Sequence, residues 1–369
     1  MKNRTPRHLY AIAFSGLLLN TGIVHAKPDK KNKTEVVAKD STSTGQNTDW
    51  EKTIKPEMHE VLKKLESFKD KPTPGLSAAE ARKNHTPADA VMALIKEKNI
   101  AIPASKVDTS GSQIAVKDGK IHLRIYTPKE GKAPFPVIVY YHGGGFVIAD
   151  LNVYHGSAKA LAEQCQAIVV SVAYRQGPEH KFPTAHQDAY AAYEWTLKNA
   201  AAIEGDPKRI AVAGESAGGN LAANVSIMAR ERGLAMPVHQ LLVYPIASND
   251  LNSNSYKKYA AAKPLNKPMM EWFFKNYMHN MEETKNTMIN LVNANLKGLP
   301  STTIVIAEID PLQSDGYMLM EKLKAAGVAV NTRPFEGVTH EFFGMAPVVP
   351  QAVKAQEFAA EEMKKAFKK

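Results

Sequence analysis

Past about Ser110 the chain alternates short, β-branched apolar runs with longer stretches of helical spacing, a rhythm that few architectures accommodate. Parallel neighbours in a sheet need a crossover of a dozen residues or more, so such a succession builds a mostly parallel sheet with helices against its faces. The expected strands are Ile121 to Tyr126, Val137 to Tyr141, Ala167 to Ala173, Ile210 to Ala213, Leu241 to Tyr244, Thr302 to Ala307 and Val328 to Arg333. Apolar spacing of three and four residues predicts helices over Thr184 to Lys198, Ala217 to Arg232, Gly316 to Ala326 and Pro350 to Phe367. The fold class is α/β. Residues 109–369 form its main domain, and a Tyr-, Asn- and Lys-rich stretch at 250–290, with a helix near Met269 to Met278, reads as an insertion.

The N-terminal part has a different texture. Lys2, Arg4 and Arg7 precede an apolar stretch from Leu9 to Leu19, and Val24-His25-Ala26 fits the small-residue rule for signal-peptidase cleavage. Residues 1–26 are therefore expected to be a signal peptide, and the protein exported to the periplasm or the medium. About 11 apolar residues fall short of the roughly 20 that span hydrocarbon, so no stable membrane anchor is expected. Residues 27–49 are rich in Lys, Thr and Ser with little to bury, and read as a disordered linker. From Trp50 to residue 108 helical spacing returns, in Met58, Val61, Leu62 and Leu65 and again in Ala88, Val91, Met92 and Leu94, with Lys71-Pro72-Thr73-Pro74-Gly75 between the two.

Gly214-Glu215-Ser216-Ala217-Gly218 matches G-x-S-x-G between the expected strand ending at Ala213 and the expected helix starting near Ala217. A serine on such a turn projects its hydroxyl outward, and the helix N-terminus adds free N–H groups and positive partial charge beside it. Upstream, His142-Gly143-Gly144-Gly145-Phe146 follows another expected strand. Consecutive glycines let main-chain N–H groups converge on one spot, as an oxyanion hole requires, and the expected donors are Gly143, Gly144 and Ala217. His142 then orients the loop and is not a base.

A serine nucleophile needs a base and an acid to hold that base in the right tautomer; beyond a turn of this kind the chain order is serine, acid, histidine. Of the 12 histidines only His340 lies after His279, just past the last expected strand. Asp310, after the strand ending at Ala307, is the best acid, with Asp315 and Glu308 as rivals.

His142-Gly-Gly-Gly145, Tyr174-Arg175-Gln176-Gly177-Pro178-Glu179-His180, Gly214-Glu-Ser-Ala-Gly-Gly-Asn220, Asp310-Pro-Leu312 and His340-Glu-Phe342 together resemble the ordered motifs of bacterial esterases of the hormone-sensitive lipase family. The likeness runs from about Ile121 to the C-terminus, and more loosely over the helices from Trp50. It implies an α/β-hydrolase sheet, a helical cap formed by 50–108 and 250–290, and ester hydrolysis without a cofactor or metal. By motif match, Ser216, Asp310 and His340 take the triad positions, and Gly143, Gly144 and Ala217 the oxyanion positions. The chain departs from the common pattern at Glu215, often Asp; at Glu341, often Gly; at Gln176-Gly177, usually Leu-Ala; and at Ile289-Asn290-Leu291, where Ser-Pro-Leu is common. Arg175, Glu179 and His180 are expected to form a polar scaffold.

The expected activity is hydrolysis of short- to medium-chain carboxylic esters through an acyl-enzyme. The alternatives are cleavage of another acyl bond (a lactone, an amide or an acetylated sugar) or a non-catalytic small-molecule receptor on the same fold. Cap residues Trp50, Met58, Phe68, Met269, Met270, Trp272, Phe273, Phe274 and Met278 are expected to pack on the sheet, with some lining the mouth of the pocket. The formal net charge of +10 comes without a dense Arg/Lys block, so no nucleic-acid partner is expected. A single cysteine, Cys165, forbids an intrachain disulfide and a cysteine-rich metal site; it is expected to be a buried thiol. The sequence leaves monomer and homodimer equally open.

Overall fold

The computed structural model describes residues 49–368; the expected signal peptide, 1–26, and all of the expected linker except its last residue lie outside the described residues. Eight strands form one sheet in the order β1-β2-β4-β3-β5-β6-β7-β8. They are β1 (Val107–Val116), β2 (Gly119–Pro128), β3 (Phe135–Tyr141), β4 (Ile168–Ala173), β5 (Gly205–Glu215), β6 (Gln240–Val243), β7 (Thr302–Ile309) and β8 (Val330–Thr339). β2 is antiparallel to both β1 and β4, and every pairing from β4 onward to β8 is parallel.

Among the described residues the ten α-helices are α1 (Pro56–Ser67), α2 (Ala78–Ala81), α3 (Pro87–Glu97), α4 (His155–Cys165), α5 (Thr184–Asn199), α6 (Ala217–Glu231), α7 (Asn254–Lys258), α8 (Lys267–Tyr277), α9 (Gln313–Ala325) and α10 (Pro350–Phe367). Helices on both faces explain the unbroken apolar strands: Val137, Val139 and Tyr141 join one core cluster, while Ile138 and Tyr140 between them join the other. Cys165 is a buried free thiol at the end of α4.

The expected strands and helices of the main domain are all present, with shifted ends. β1 was not among them, and it starts two residues before the expected start of the main domain at 109. In the N-terminal segment α1 buries Met58, Val61 and Leu62 as its spacing predicts. The apolar face of α3 is Ala90, Val91 and Leu94, whereas Met92 points outward at 63% exposure. Thr86 and Asp89 form a capping box that starts α3, with Pro87 as its first residue. The buried faces of α1 and α3 share a core cluster with Tyr259, Phe335 and Phe342, so these helices are anchored over the end of the sheet where β8 stops. Among the described residues no helix is long and apolar enough to cross a membrane.

Candidate active site

β5 delivers Ser216 to a turn that only a constrained backbone can make. Its φ is 56° and ψ −117°, and α6 begins at the next residue. The strain is held from both sides: the Ser216 N–H donates to the Val243 carbonyl at 2.9 Å, and its own carbonyl accepts from Asn220 and Ile246. A Cβ on Gly218 would run into the Tyr141 carbonyl, so helix α6 packs this close to β3 only with glycine there.

Asp310 follows β7 and His340 follows β8, and the two meet. His340 Nδ1 donates to Asp310 Oδ2 at 2.7 Å, with Asp310 fully buried and His340 nearly so. Asp310 Oδ1 accepts from the Leu312 N–H at 2.8 Å, which fixes the carboxylate plane. The two rival acids face elsewhere. Glu308 accepts from the Gly337 N–H, and Asp315 from the N–H groups of Ala247 and Ser248. Burial pushes the His340 pKa down, but the charge and hydrogen bond of Asp310, aided by Glu341 and Glu215, outweigh it and raise it. Ser216 and His340 line one cavity of about 660 Å³, although no hydrogen bond joins their side chains among the described residues.

The glycine loop borders the same cavity through Gly144 and Gly145. Gly144 has φ +94°, and a Cβ there would strike the Ile148 carbonyl. Among the described residues the N–H groups of Gly143, Gly144 and Ala217 donate to no other group. His142 is buried, its pKa lowered by that burial to about 4; it stacks on Tyr174 and its Nδ1 lies 2.8 Å from the Gly143 carbonyl. The Tyr174 hydroxyl donates to the His142 and Gly143 carbonyls at 2.8 and 3.1 Å. His142 thus supports the loop, as the sequence suggests.

The 174–180 motif is indeed a scaffold. Arg175 grips buried Asp188 with Nε and Nη2 at 2.8 and 2.7 Å, and Glu179 receives two hydrogen bonds from Arg82. Gln176 donates to the carbonyls of Ile148 and Ala149 and also lines the cavity. His180 is exposed, and its charge acts on Glu179.

Both segments expected to cap the pocket contribute to its wall: Leu62, Leu65 and Pro72 from the first, Leu265, Met269 and Phe273 from the second. An ion pair between Glu66 and Lys263 joins the two segments at the rim. Of the other expected cap residues, Trp272 donates its ring N–H to the Leu76 carbonyl, Phe274 and Met278 are buried, and half-buried Phe68 stacks on His85, which lines the cavity.

Tyr244 and Tyr154 belong to no motif, yet both border the site. Tyr244 lies against the His340 ring, centroids 4.4 Å apart, and Tyr154 lines the cavity and donates to Glu341 Oε1 at 2.6 Å. Glu215 is buried beneath the serine, accepting from Tyr140 and Tyr244 at 2.6 and 2.5 Å. Burial raises its pKa to about 7 despite those hydrogen bonds. Among the described residues no group of three or more His, Cys, Asp or Glu is placed to hold a metal ion.

A family model described as the alpha/beta hydrolase fold matches residues 138–344. Carboxylesterase NlhH of Mycobacterium tuberculosis is 40% identical over 251 residues, 67% of this chain and 79% of that protein. Ethyl acetate hydrolase of Pseudomonas putida is 31% identical, over 69% of this chain and 83% of its own. The crystal structure of a thermostable esterase from Pseudomonas putida ECU1011 superposes with a TM-score of 0.78 at 31% identity, covering 85% of this chain and 98% of that one. The sheet order, the serine turn and these likenesses agree, and the chain belongs to the α/β hydrolase family, among its esterases of the hormone-sensitive lipase type.

Proposed function

We propose that this protein, a carboxylic ester hydrolase, works by two-step acyl transfer through Ser216. His340 Nε2 takes the Ser216 proton as Oγ attacks the ester carbonyl. The tetrahedral oxyanion is held by the N–H groups of Gly143, Gly144 and Ala217. Asp310 keeps the Nδ1–H tautomer and stabilises the imidazolium, which then protonates the leaving alcohol. Water, activated by the same imidazole, attacks the acyl-enzyme and releases the acid.

The observation that carries this reading is the 2.7 Å bond from His340 Nδ1 to Asp310, which leaves Nε2 as the basic nitrogen of a histidine lining the same cavity as a strained serine at the N-terminus of α6, whose side chain makes no capping hydrogen bond. The walls contributed by Leu62, Leu65, Leu265, Met269 and Phe273 suit an apolar acyl or alkyl group, and a cavity of about 660 Å³ favours short to medium chains. Turnover of a chain-length series of aryl esters tests this, and an optimum above about twelve carbons would contradict the size argument. A fluorophosphonate that modifies Ser216 tests the nucleophile.

Residues 50–108 and 250–290 act as the cap. The protein is exported with its leader removed after Ala26, on the strength of the basic, apolar and small-residue succession of the first 26 residues. N-terminal sequencing of the exported form tests that cleavage, and an intact Met1 would overturn it.

A further inference from the structure

Glu341 follows the base directly, and its backbone lies in the left-handed region at φ 72°. A glutamate gains nothing sterically from that conformation, so something in the surroundings holds it. The conformation turns its carboxylate back along the imidazole. Oε1 lies 3.9 Å from His340 Nε2, and the same oxygen accepts the Tyr154 hydroxyl hydrogen bond at 2.6 Å. His340 thus has a carboxylate at each ring nitrogen, Asp310 in contact with Nδ1 and Glu341 near Nε2 on the cavity side.

We propose that Glu341 is a positioning residue for the base: pinned by Tyr154, it holds a negative charge at the nitrogen that serves Ser216, favours the imidazolium form of His340, and moves the working range of the enzyme to higher pH. The proposal rests on the reading of His340 as the general base.

The sign follows from electrostatics. A carboxylate about 4 Å from an imidazole favours the charged form. Only neutral His340 can accept the Ser216 proton, so the acidic limb of kcat/KM lies higher with Glu341 present than without it. Once Ser216 has given up its proton, the same charge stabilises the resulting imidazolium, so removing it lowers the plateau as well.

Other groups face this pair from every neighbouring element. Asp310 approaches from the end of β7, Glu215 from the end of β5, Tyr244 from the segment after β6, Tyr140 from β3, and Tyr154 from the turn before α4. Of the two carboxylates besides Asp310, Glu341 acts on His340 more strongly than Glu215, whose oxygens are both engaged by tyrosine hydroxyls. Glu215→Gln is therefore the control that separates the two.

The experiment is the pH profile of kcat/KM for Glu341→Gln and Glu341→Gly against the wild type. The glycine variant guards against misfolding, because glycine occupies φ 72° without strain. Both are expected to move the acidic limb down by about one pH unit, seen as roughly fivefold higher activity relative to plateau one unit below the wild-type limb. Glu215→Gln is expected to move it less. NMR titration of His340 in a Ser216→Ala background, with and without Glu341→Gln, should show the same downward shift with no turnover required. A limb and an imidazole titration that stay in place in both Glu341 variants overturn the proposal. If Ser216 is still labelled by a fluorophosphonate in that case, only the role of Glu341 has failed; if Ser216 is not labelled, the assignment of the base has failed with it.

Discussion

Tyr244 lies across the His340 ring at 4.4 Å between centroids and sends its hydroxyl to Glu215, so one aromatic residue ties the base to the carboxylate beneath the nucleophile. Glu215 is a buried acid whose pKa is raised from 4.5 to about 7 by burial. The native state therefore binds a proton more tightly than the unfolded chain, and the associated stability is present below pH about 4.5 and lost as pH rises through about 7. Glu215→Gln removes this dependence. Thermal melts at several pH values should show the wild type losing stability relative to Glu215→Gln across that window, by up to about 3 kcal/mol. A constant difference between the two proteins would show that Glu215 does not titrate there.

Asp310 and Asp315 are both buried carboxylates, five residues apart in sequence, and they should respond differently to conversion to an amide. Asp310→Asn leaves His340 Nδ1–H without its acceptor or favours the wrong tautomer, and kcat should fall by about 10⁴. In Asp315, Oδ2 accepts two main-chain N–H groups while Oδ1 has no partner among the described residues, and burial raises its pKa to about 8. Asp315→Asn keeps the accepting oxygen and should retain most of the activity. Comparable losses in the two variants would reopen the identity of the acid.

Gly144 tests the oxyanion loop without touching a side chain. With φ at +94° and the Ile148 carbonyl in the way, Gly144→Ala must displace the loop. The expected result is a fall in kcat of about 10² to 10³ in a protein that still melts cooperatively, the loss associated with one misplaced donor. An alanine variant with near wild-type kcat would remove Gly144 from the oxyanion hole.

Arg82 ties the end of α2 to the scaffold motif. Besides its two hydrogen bonds to Glu179, it donates to the Val147 and Gly177 carbonyls at 2.8 and 2.6 Å. Glu179 is about half exposed, so Glu179→Ala should cost less than about 1 kcal/mol. Arg82→Ala also leaves two carbonyls without a donor and should cost about 2 kcal/mol. Chemical denaturation of both variants measures the order, and equal losses would mean that the ion pair alone matters.

What the sequence revealed and what it hid follow from how each element is stabilised. Strands buried on both faces, such as Ile168–Ala173, announce themselves as apolar runs. β1 does not, because most of Val107–Val116 is exposed; it is a strand by virtue of its unbroken antiparallel pairing with β2, not of its composition. β8 was expected only as far as Arg333, yet it continues through Pro334 and Gly337 to Thr339 and carries His340 to Asp310. The outward turn of Met92 escaped because Ala90, a small residue, supplies the buried contact that the larger side chain was expected to make. His340 and Asp310 were legible because order along the chain constrains them. Tyr154 was not: its hydroxyl reaches Glu341 across 187 positions, and nothing around it in sequence marks it as part of a site.

The most direct test of the account is mass spectrometry of the intact and digested protein after reaction with a fluorophosphonate, run beside turnover of an aryl ester by Ser216→Ala. The account predicts a single adduct on the peptide containing Ser216, abolished with turnover in the alanine variant. An adduct on another residue, or an alanine variant that hydrolyses the ester at the wild-type rate, would contradict it.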